Sequence, residues 1–467
     1  MAEATYSELL ELVAAMRVEL AALRAENEAL KSRVADLETQ LRTNSRNSSK
    51  PPSSDGPAKP APKSLRRPTG RKPGGQAGHE GTTLTQVPDP DIVIRHDPSH
   101  CKGCGTDLAG APQSGCSVRQ VFDLPPIRVQ VTEHRVITRT CACGVATTGT
   151  APPLASHPVQ YGPVLRAVMV YLFMGQHLSQ GRTARAVSEL FNVPVSSGTV
   201  ATVTTRAATD LAEFTRQVTA RLATQDVVNF DETSLRCAGR LAWLHSASTT
   251  HYSLIFAHPR RGRHAMDAMG VLPAFTGTAV HDAWAPYDTY TGATHALCGA
   301  HLLRELQAVI DHHATTTKAG GWCWADQVAS AFLALNTATQ LTGAPLDPET
   351  STTHVMRIRH ALACAEHPTG KTGKKHQALA RRINKRLDDY LRFTHDPAVP
   401  FTNNAAEQNI RMAKIRQKIS GTMRTLTGAQ NFATIRSYIQ TTNRHALHTL
   451  DALTRLTSGN PWLPDYT

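Results

Sequence analysis

No stretch of this 467-residue chain is apolar over the length a transmembrane helix needs, and MAEATYSEL at its start lacks the basic and apolar segments of a secretory signal. A cytoplasmic protein without a membrane partner is therefore expected. Cysteine is too sparse for a disulfide scaffold, with nine residues over this length, and in a reducing compartment clustered cysteines are more often metal ligands. Acid is also in short supply. The 50 Lys and Arg against 37 Asp and Glu leave a net charge of +13, which favours a polyanionic partner such as DNA or RNA. What remains is ample apolar content, 40% of residues, and a length that houses roughly two to four domains.

A heptad opens the chain. Leu9, Met16, Leu23, Leu30 and Leu37 fall at one core position, and Val13, Leu20, Asn27, Val34 and Leu41 at the other, which predicts a leucine-zipper coiled coil over 1–43. A lone Asn at the a-like position fixes register in parallel two-stranded coils, so Asn27 reads as a dimer specifier. The alternative is a solitary amphipathic helix packed on its own protein. Residues 44–88 lose all periodicity. They are rich in Pro, Ser and Gly, with eight basic residues against Asp55 and Glu80 up to residue 81, and are expected to be a disordered basic linker. Within it, Arg66, Arg67, Arg71 and Lys72 have the spacing of an arm that lies along a minor groove, or of a solvated tether.

Cys101 and Cys104 form a CxxC knuckle, and Cys141 and Cys143 a CxC one, each followed by Gly. IRVQVTEHRVITRT between them alternates like a strand, so a hairpin would bring the knuckles together. Four thiolates satisfy a tetrahedral Zn²⁺ with no open position, which predicts a small structural zinc-ribbon-like module over 89–157. His100 and Cys116 are substitute ligands, and a redox CxxC is the alternative reading. Residues 158–222 read as helical. One helix ends near Phe191 and another starts after Ser196-Ser197, a helix-turn-helix-like spacing in which Arg182, Arg185, Ser197, Thr199 and Thr202 would reach DNA, unless the pair is ordinary core packing.

The period then changes. DVVNFDETSLR, LAWLHSAST, HYSLIFAH and TGTAVHDAWAPY read as strands of a mixed sheet, with Asp231 and Asp282 at the ends of the first and fourth. A helical stretch follows from about Cys298, then a mainly helical span to about Pro400. Asn403-Asn404 would cap a helix that carries Glu407 and Arg411 on one face. Three carboxylates from separate segments suit two hard Mg²⁺ ions that act on a phosphodiester. Asp231 would bridge both ions, Asp282 and Glu407 would each hold one, and Arg411 or Lys414 would neutralise phosphate charge.

The order of coiled coil, NSSKPPSSD, GGQAGHEG, Cys knuckles, FDET, HDAWAPY and NNAAEQNIR followed by SGTMRT resembles the transposases of insertion-sequence family sixty-six. The resemblance covers nearly the whole chain. It implies a ribonuclease H-like core of the DDE class over 223–467, with a helical insertion at about 306–400 between the second Asp and the Glu. Residue by residue, it implies Asp231, Asp282 and Glu407 as the catalytic set and Cys101, Cys104, Cys141 and Cys143 as the Cys-rich module. CGAHLLREL corresponds to the family's Cys and Ala-His segment. Two departures stand out: Leu302-Leu303-Arg304 replaces two Arg after Ala-His, which favours His301 over Arg304 for contact with phosphate, and Gln408 follows the Glu where Arg is frequent. Glu232 and Glu305 lie near these motifs, with Glu232 expected on the opposite strand face from Asp231.

The fold class expected is therefore multidomain α/β: an N-terminal coiled coil, a zinc-ribbon-like module, a helix-turn-helix-like domain, and a ribonuclease H-like core of mixed sheet flanked by helices. The function expected is a DNA transposase of bacterial, nucleoid-associated location. It would use two Mg²⁺ or Mn²⁺ per active site to cut element ends and join the 3′-hydroxyl to target DNA, and Zn²⁺ for structure. Terminal inverted repeats, target DNA, a second copy of the chain and accessory proteins of the element would be its partners. A non-catalytic dimeric DNA-binding regulator and a metal-dependent nuclease without strand transfer are the rival classes. Repeat sequence, target preference and pathway leave no mark in the residues.

Overall fold

A computed structural model describes residues 6–42, 84–125, 127–316, 321–365 and 370–464. The basic stretch with Arg66, Arg67, Arg71 and Lys72 lies outside them. The chain divides into two units, one of 63–131 with 190–192 and the other of the remaining residues.

The smaller unit is built on turns. Gly105 N–H donates to the Cys101 carbonyl at 2.9 Å and Cys101 N–H to the Thr106 carbonyl at 2.8 Å, so the CxxC knuckle closes on itself. Gly105 has φ +74 there, a conformation that costs a glycine little. Gln120 clasps Val87 through both of its side-chain ends, at 2.7 Å each.

The larger unit begins with α1 (Tyr6–Arg42), one uninterrupted helix. The strands β1 (Thr138–Thr140) and β2 (Ala146–Thr148) pair antiparallel around the second knuckle. Only the last three residues of IRVQVTEHRVITRT thus form strand, because its apolar side chains, Val131 and Ile137 among them, stay exposed and gain nothing from pairing. Four helices follow: α2 (Pro163–Val170), extended by a π turn over Tyr171–Gly175, α3 (Gln180–Phe191), α4 (Ser197–Thr209) and α5 (Ala212–Ala223). Ser196 caps α4 by accepting from Thr199 N–H at 3.0 Å.

Next come β3 (Val227–Cys237), β4 (Arg240–Ser248), β5 (Ser253–His258), α6 (Arg263–Met269), β6 (Thr278–His281) and β7 (Thr294–Leu297). The five strands form one sheet in the order β5-β4-β3-β6-β7. Pairing is antiparallel from β3 to β5 and parallel from β3 through β6 to β7. This is the mixed sheet expected, with β7 in addition. THAL is too short to carry a period of its own.

The chain then runs through α7 (Gly299–Thr316), α8 (Trp324–Thr342), α9 (Pro348–Cys364), α10 (Gly370–Lys385) and α11 (Leu387–Leu391), and returns as α12 (Asn404–Ser420), α13 (Leu426–Arg444) and α14 (Thr449–Thr457). Alternation in β6 gives the sheet two covered faces. Ala279 joins a core with Phe214, Phe230, Phe432 and Tyr438, whereas Val280 joins one with Leu306, Phe332 and Tyr390. Helix α13 is keyed to β5 by hydroxyls: Ser437 accepts from Ile255 N–H at 2.7 Å and Thr441 from Ser253 N–H at 3.1 Å. Among the described residues no helix is long and apolar enough to cross a membrane.

Candidate active site

Parallel pairing between β3 and β6 stops at Asn229 opposite Val280. Continued by two residues, the register would set Asp231 opposite Asp282, at the point where the strands part. Asp231 is not at the end of its strand, as the sequence led one to expect. It is the fifth residue of an eleven-residue strand, since the hairpin with β4 holds β3 together as far as Cys237. Asp282 does follow directly on β6, and its Oδ1 accepts from Trp284 N–H at 3.1 Å, which curls the chain after the strand.

Glu407 arrives from α12, and the residues ahead of it fix its approach. Asn403 is fully buried. It occupies the N-cap position without a side-chain cap bond. Its amide instead donates to the carbonyl of Phe230 at 2.6 Å, one residue before Asp231, and its backbone N–H donates to Cys298 Sγ at 3.1 Å. The capping role expected of Asn403 is thus replaced by a cross-tie between helix and sheet, in which the amide N–H meets the strand carbonyl while Oδ1 stays buried without a partner. Gly299 N–H donates to the Phe401 carbonyl at 2.8 Å.

Asp231 feels the charge of both other carboxylates. Burial pushes Asp231 well above the usual carboxylate range, and the charges of Glu232, Glu407 and Asp282 push it further. Asp282 rises to about 7, through burial first and then Glu232. Glu407 is raised by burial, with Arg304 and Arg411 opposing. Buried like charges of this kind call for a cation or protons. Glu407 Oε1 is also buried without a hydrogen-bond partner. Oxygen donors from three directions fit hard divalent cations of the Mg²⁺ class.

Glu232 has its own partners. Its carboxylate is buried and accepts from Arg261 Nε at 3.1 Å and Tyr287 Oη at 2.7 Å, yet its charge still reaches both Asp231 and Asp282. Strand alternation separates adjacent side chains at Cβ, but the chain after Asp282 bends until Tyr287 meets Glu232. Arg261 lies over the Trp284 ring, 3.8 Å from its centroid. Glu305 is paired with Arg382.

The basic candidates scatter. His301 Nε2 is 3.9 Å from Glu407 Oε1, and Arg411 is exposed on α12. Lys414 donates to the Ser234 carbonyl, which ties α12 to β3 and draws its ammonium away from solvent phosphate. Arg182, Ser197 and Thr202 are exposed and Thr199 half-buried; Arg185 is exposed but held by Glu189 at 2.7 Å. In the knuckles, Thr106 and Cys101 lower the Cys104 thiol to about 7, and Cys143 lowers Cys141, which suits thiolate ligands. Gly144 N–H closes the second knuckle on the Cys141 carbonyl at 2.8 Å. Sequence reasoning missed Arg261, Trp284 and Tyr287, gave Asn403 only a capping role, and set Arg304 aside. Trp284 and Tyr287 stood inside HDAWAPY and Asn403 inside NNAAEQNIR; Arg261, in a loop 21 residues ahead of Asp282, gave no signal.

Comparison with known proteins agrees with this arrangement of segments. Residues 98–144, which contain both knuckles, match the zinc-finger binding domain of the same family's transposase, and residues 2–85 match a family of unknown function. No curated protein matches the chain. Residues 158–431, more than half of the chain and the span that holds Asp231, Asp282 and Glu407, match the Transposase IS66 family, and the chain belongs to that family.

Proposed function

We propose that this transposase cuts DNA at the ends of its insertion sequence and transfers the released 3′-hydroxyl into target DNA, with Asp231, Asp282 and Glu407 as its catalytic residues. The observation that carries the reading is the approach of three half-buried carboxylates from three separate segments, each raised in pKa by burial, with Asp231 raised further by the charges of the other two. The order β5-β4-β3-β6-β7, three strands antiparallel and two parallel, supports a ribonuclease H-like core over 223–467 with a helical insertion at about 306–400.

Asp231, which feels the charge of both other carboxylates, would hold two Mg²⁺ or Mn²⁺ ions together with Asp282 and Glu407. Bound there, the cations would supply Lewis-acid stabilisation of charge on the phosphodiester oxygens. Asn403 holds the start of α12 against β3, so Glu407 is oriented before DNA arrives. Arg304 and Arg411 offset the carboxylate charge and face the place where phosphate charge would gather. Water attack on the end phosphodiester leaves a 5′-phosphate and a 3′-hydroxyl, and that hydroxyl then attacks the target phosphodiester in the same site.

The remaining regions take supporting roles in this reading. Cys101, Cys104, Cys141 and Cys143 hold structural Zn²⁺ within an 89–157 module, α3 and α4 act as a helix-turn-helix within 158–222, and the 44–88 linker lies along DNA through Arg66, Arg67, Arg71 and Lys72. Helix α1 joins two copies as a coiled coil over 1–43 so that two ends are cut together, in the cytoplasm, with or without accessory proteins.

The test is end cleavage and strand transfer in Mg²⁺ by the intact chain and by Asp231→Asn, Asp282→Asn and Glu407→Gln. Each variant is expected to lose both reactions by a factor on the order of 10³ or more while it still binds end DNA. Activity retained by Glu407→Gln would sink the catalytic set. An intact chain that binds ends without cutting would favour the regulator, and cutting without joining the simple nuclease.

A further inference from the structure

Glu407 also belongs to a second cluster, whose other two members carry no step of this chemistry. Cys298 follows β7, His301 is the third residue of α7, and Glu407 reaches them from α12. One donor atom from each lies within 4.8 Å of the other two. The CxxH spacing sets thiol and imidazole on one side of the start of α7, and the Asn403 amide and the Gly299–Phe401 contact draw α12 against them.

Cys298 Sγ accepts from Asn403 N–H at 3.1 Å, while the other two residues each carry an unpaired buried atom. His301 Nδ1 and Glu407 Oε1 are both buried without a hydrogen bond, and Cys298 is 1% exposed. A buried carboxylate oxygen left unpaired is costly, and an ion bound at Glu407 Oε1 removes that cost, with His301 Nε2 the ring nitrogen set toward it. The 3.9 Å between His301 Nε2 and Glu407 Oε1 exceeds by about half an ångström the separation of two donors on one tetrahedral Zn²⁺. A small rotation of either side chain closes it.

The donor set selects the ion. Mg²⁺ takes oxygen and keeps its waters, whereas sulfur, nitrogen and oxygen together suit a borderline-soft cation. Three protein donors around such an ion also leave a fourth position for water. We propose that Cys298, His301 and Glu407 form a Zn²⁺ site, distinct from the cysteine knuckles, and that its occupation withdraws Glu407 from the hard-metal site and switches the enzyme off. The inhibitory half rests on the catalytic role proposed for Glu407; the binding half does not.

Co²⁺ reports both the count and the ligands. The full chain, Cys298→Ser, Cys298→Ala and His301→Gln would each be stripped of metal, checked for native circular dichroism and titrated with Co²⁺. The unaltered chain is expected to bind one more ion than any variant, and its difference spectrum against Cys298→Ser to carry a thiolate-to-cobalt band. Equal stoichiometry and identical spectra in all four proteins overturn the site. In Mg²⁺-supported end cleavage, Zn²⁺ is expected to slow the unaltered chain at least ~10-fold, and Cys298→Ser far less when each protein is compared with itself without Zn²⁺. Equal inhibition of both overturns the switch. A chain that shows the Co²⁺ difference yet never cuts DNA leaves the site standing and removes the proposed function instead.

Discussion

At the scale of single residues, burial decides protonation far from the DNA chemistry as well as within it. His177 is 4% exposed, has φ +62 and leaves Nδ1 without a partner. Burial, with Arg436 and Arg416 adding to it, lowers its pKa to about 4. The unfolded chain, with a His pKa near 6.5, therefore binds more protons than the folded one between pH 6.5 and 4, so stability is present above 6.5 and is lost as pH falls through that window. Asn tolerates a positive φ and does not titrate. By pH 4 the unaltered protein should lose about 3 kcal/mol more than His177→Asn relative to their values at pH 7; parallel denaturation profiles across that range would refute the assignment. Asp231, Asp282 and Glu407 were legible as candidates because FDET, HDAWAPY and NNAAEQNIR stand out as motifs. Their partners were not: nothing along the chain links Arg261 to Glu232, or Asn403 to the Phe230 carbonyl.

At the scale of elements, the site depends on how closely α7 and α12 approach. A Cβ on Gly299 would lie 2.3 Å from Phe401 Cε2, and the Phe401 ring is itself packed edge-on against Phe393 at 4.9 Å. Gly299→Ala should therefore force the 401–403 segment away from α7, at a cost of about 1–3 kcal/mol. Because Glu407 rides on that segment, end cleavage should fall by more than the thermal shift alone would explain. A variant with lowered melting temperature and full activity would show that α12 is positioned by other contacts. The strands β3 to β6 were legible from their alternation and turn residues. The 127–137 segment alternates just as well and forms no strand, because alternation leads to pairing only where a face is buried.

At the scale of the whole molecule, α1 carries an apolar seam that is largely exposed at its described leucines. Leu23 and Leu30 are 57% and 56% exposed on the described helix, and burial between two copies is what their spacing suits. Each Leu→Ala change in a packed seam costs about 2 kcal/mol or more, so Leu23→Ala with Leu30→Ala, which removes four leucines from a seam between two copies, should weaken self-association at least ~10⁵-fold. Sedimentation of the full chain should then shift toward monomer, and paired-end cutting should drop more than cutting of a single end. Unchanged sedimentation would return α1 to the solitary-helix reading.

The sequence by itself determined the local character of each region: heptad, knuckles, strand periods, helix starts, and the motifs that mark the family. Those properties follow from neighbouring residues and need no knowledge of what packs against them. Only the tertiary structure decided that Asp231 sits inside its strand at the point where β6 turns away, and that Glu232 is clasped by Arg261 and Tyr287. It also brings Cys298 and His301 against Glu407 across more than a hundred residues of intervening chain. Such meetings depend on sheet order and on the packing of helices at both faces, and the energy that fixes them comes from burial of groups distant in sequence, which no local pattern records.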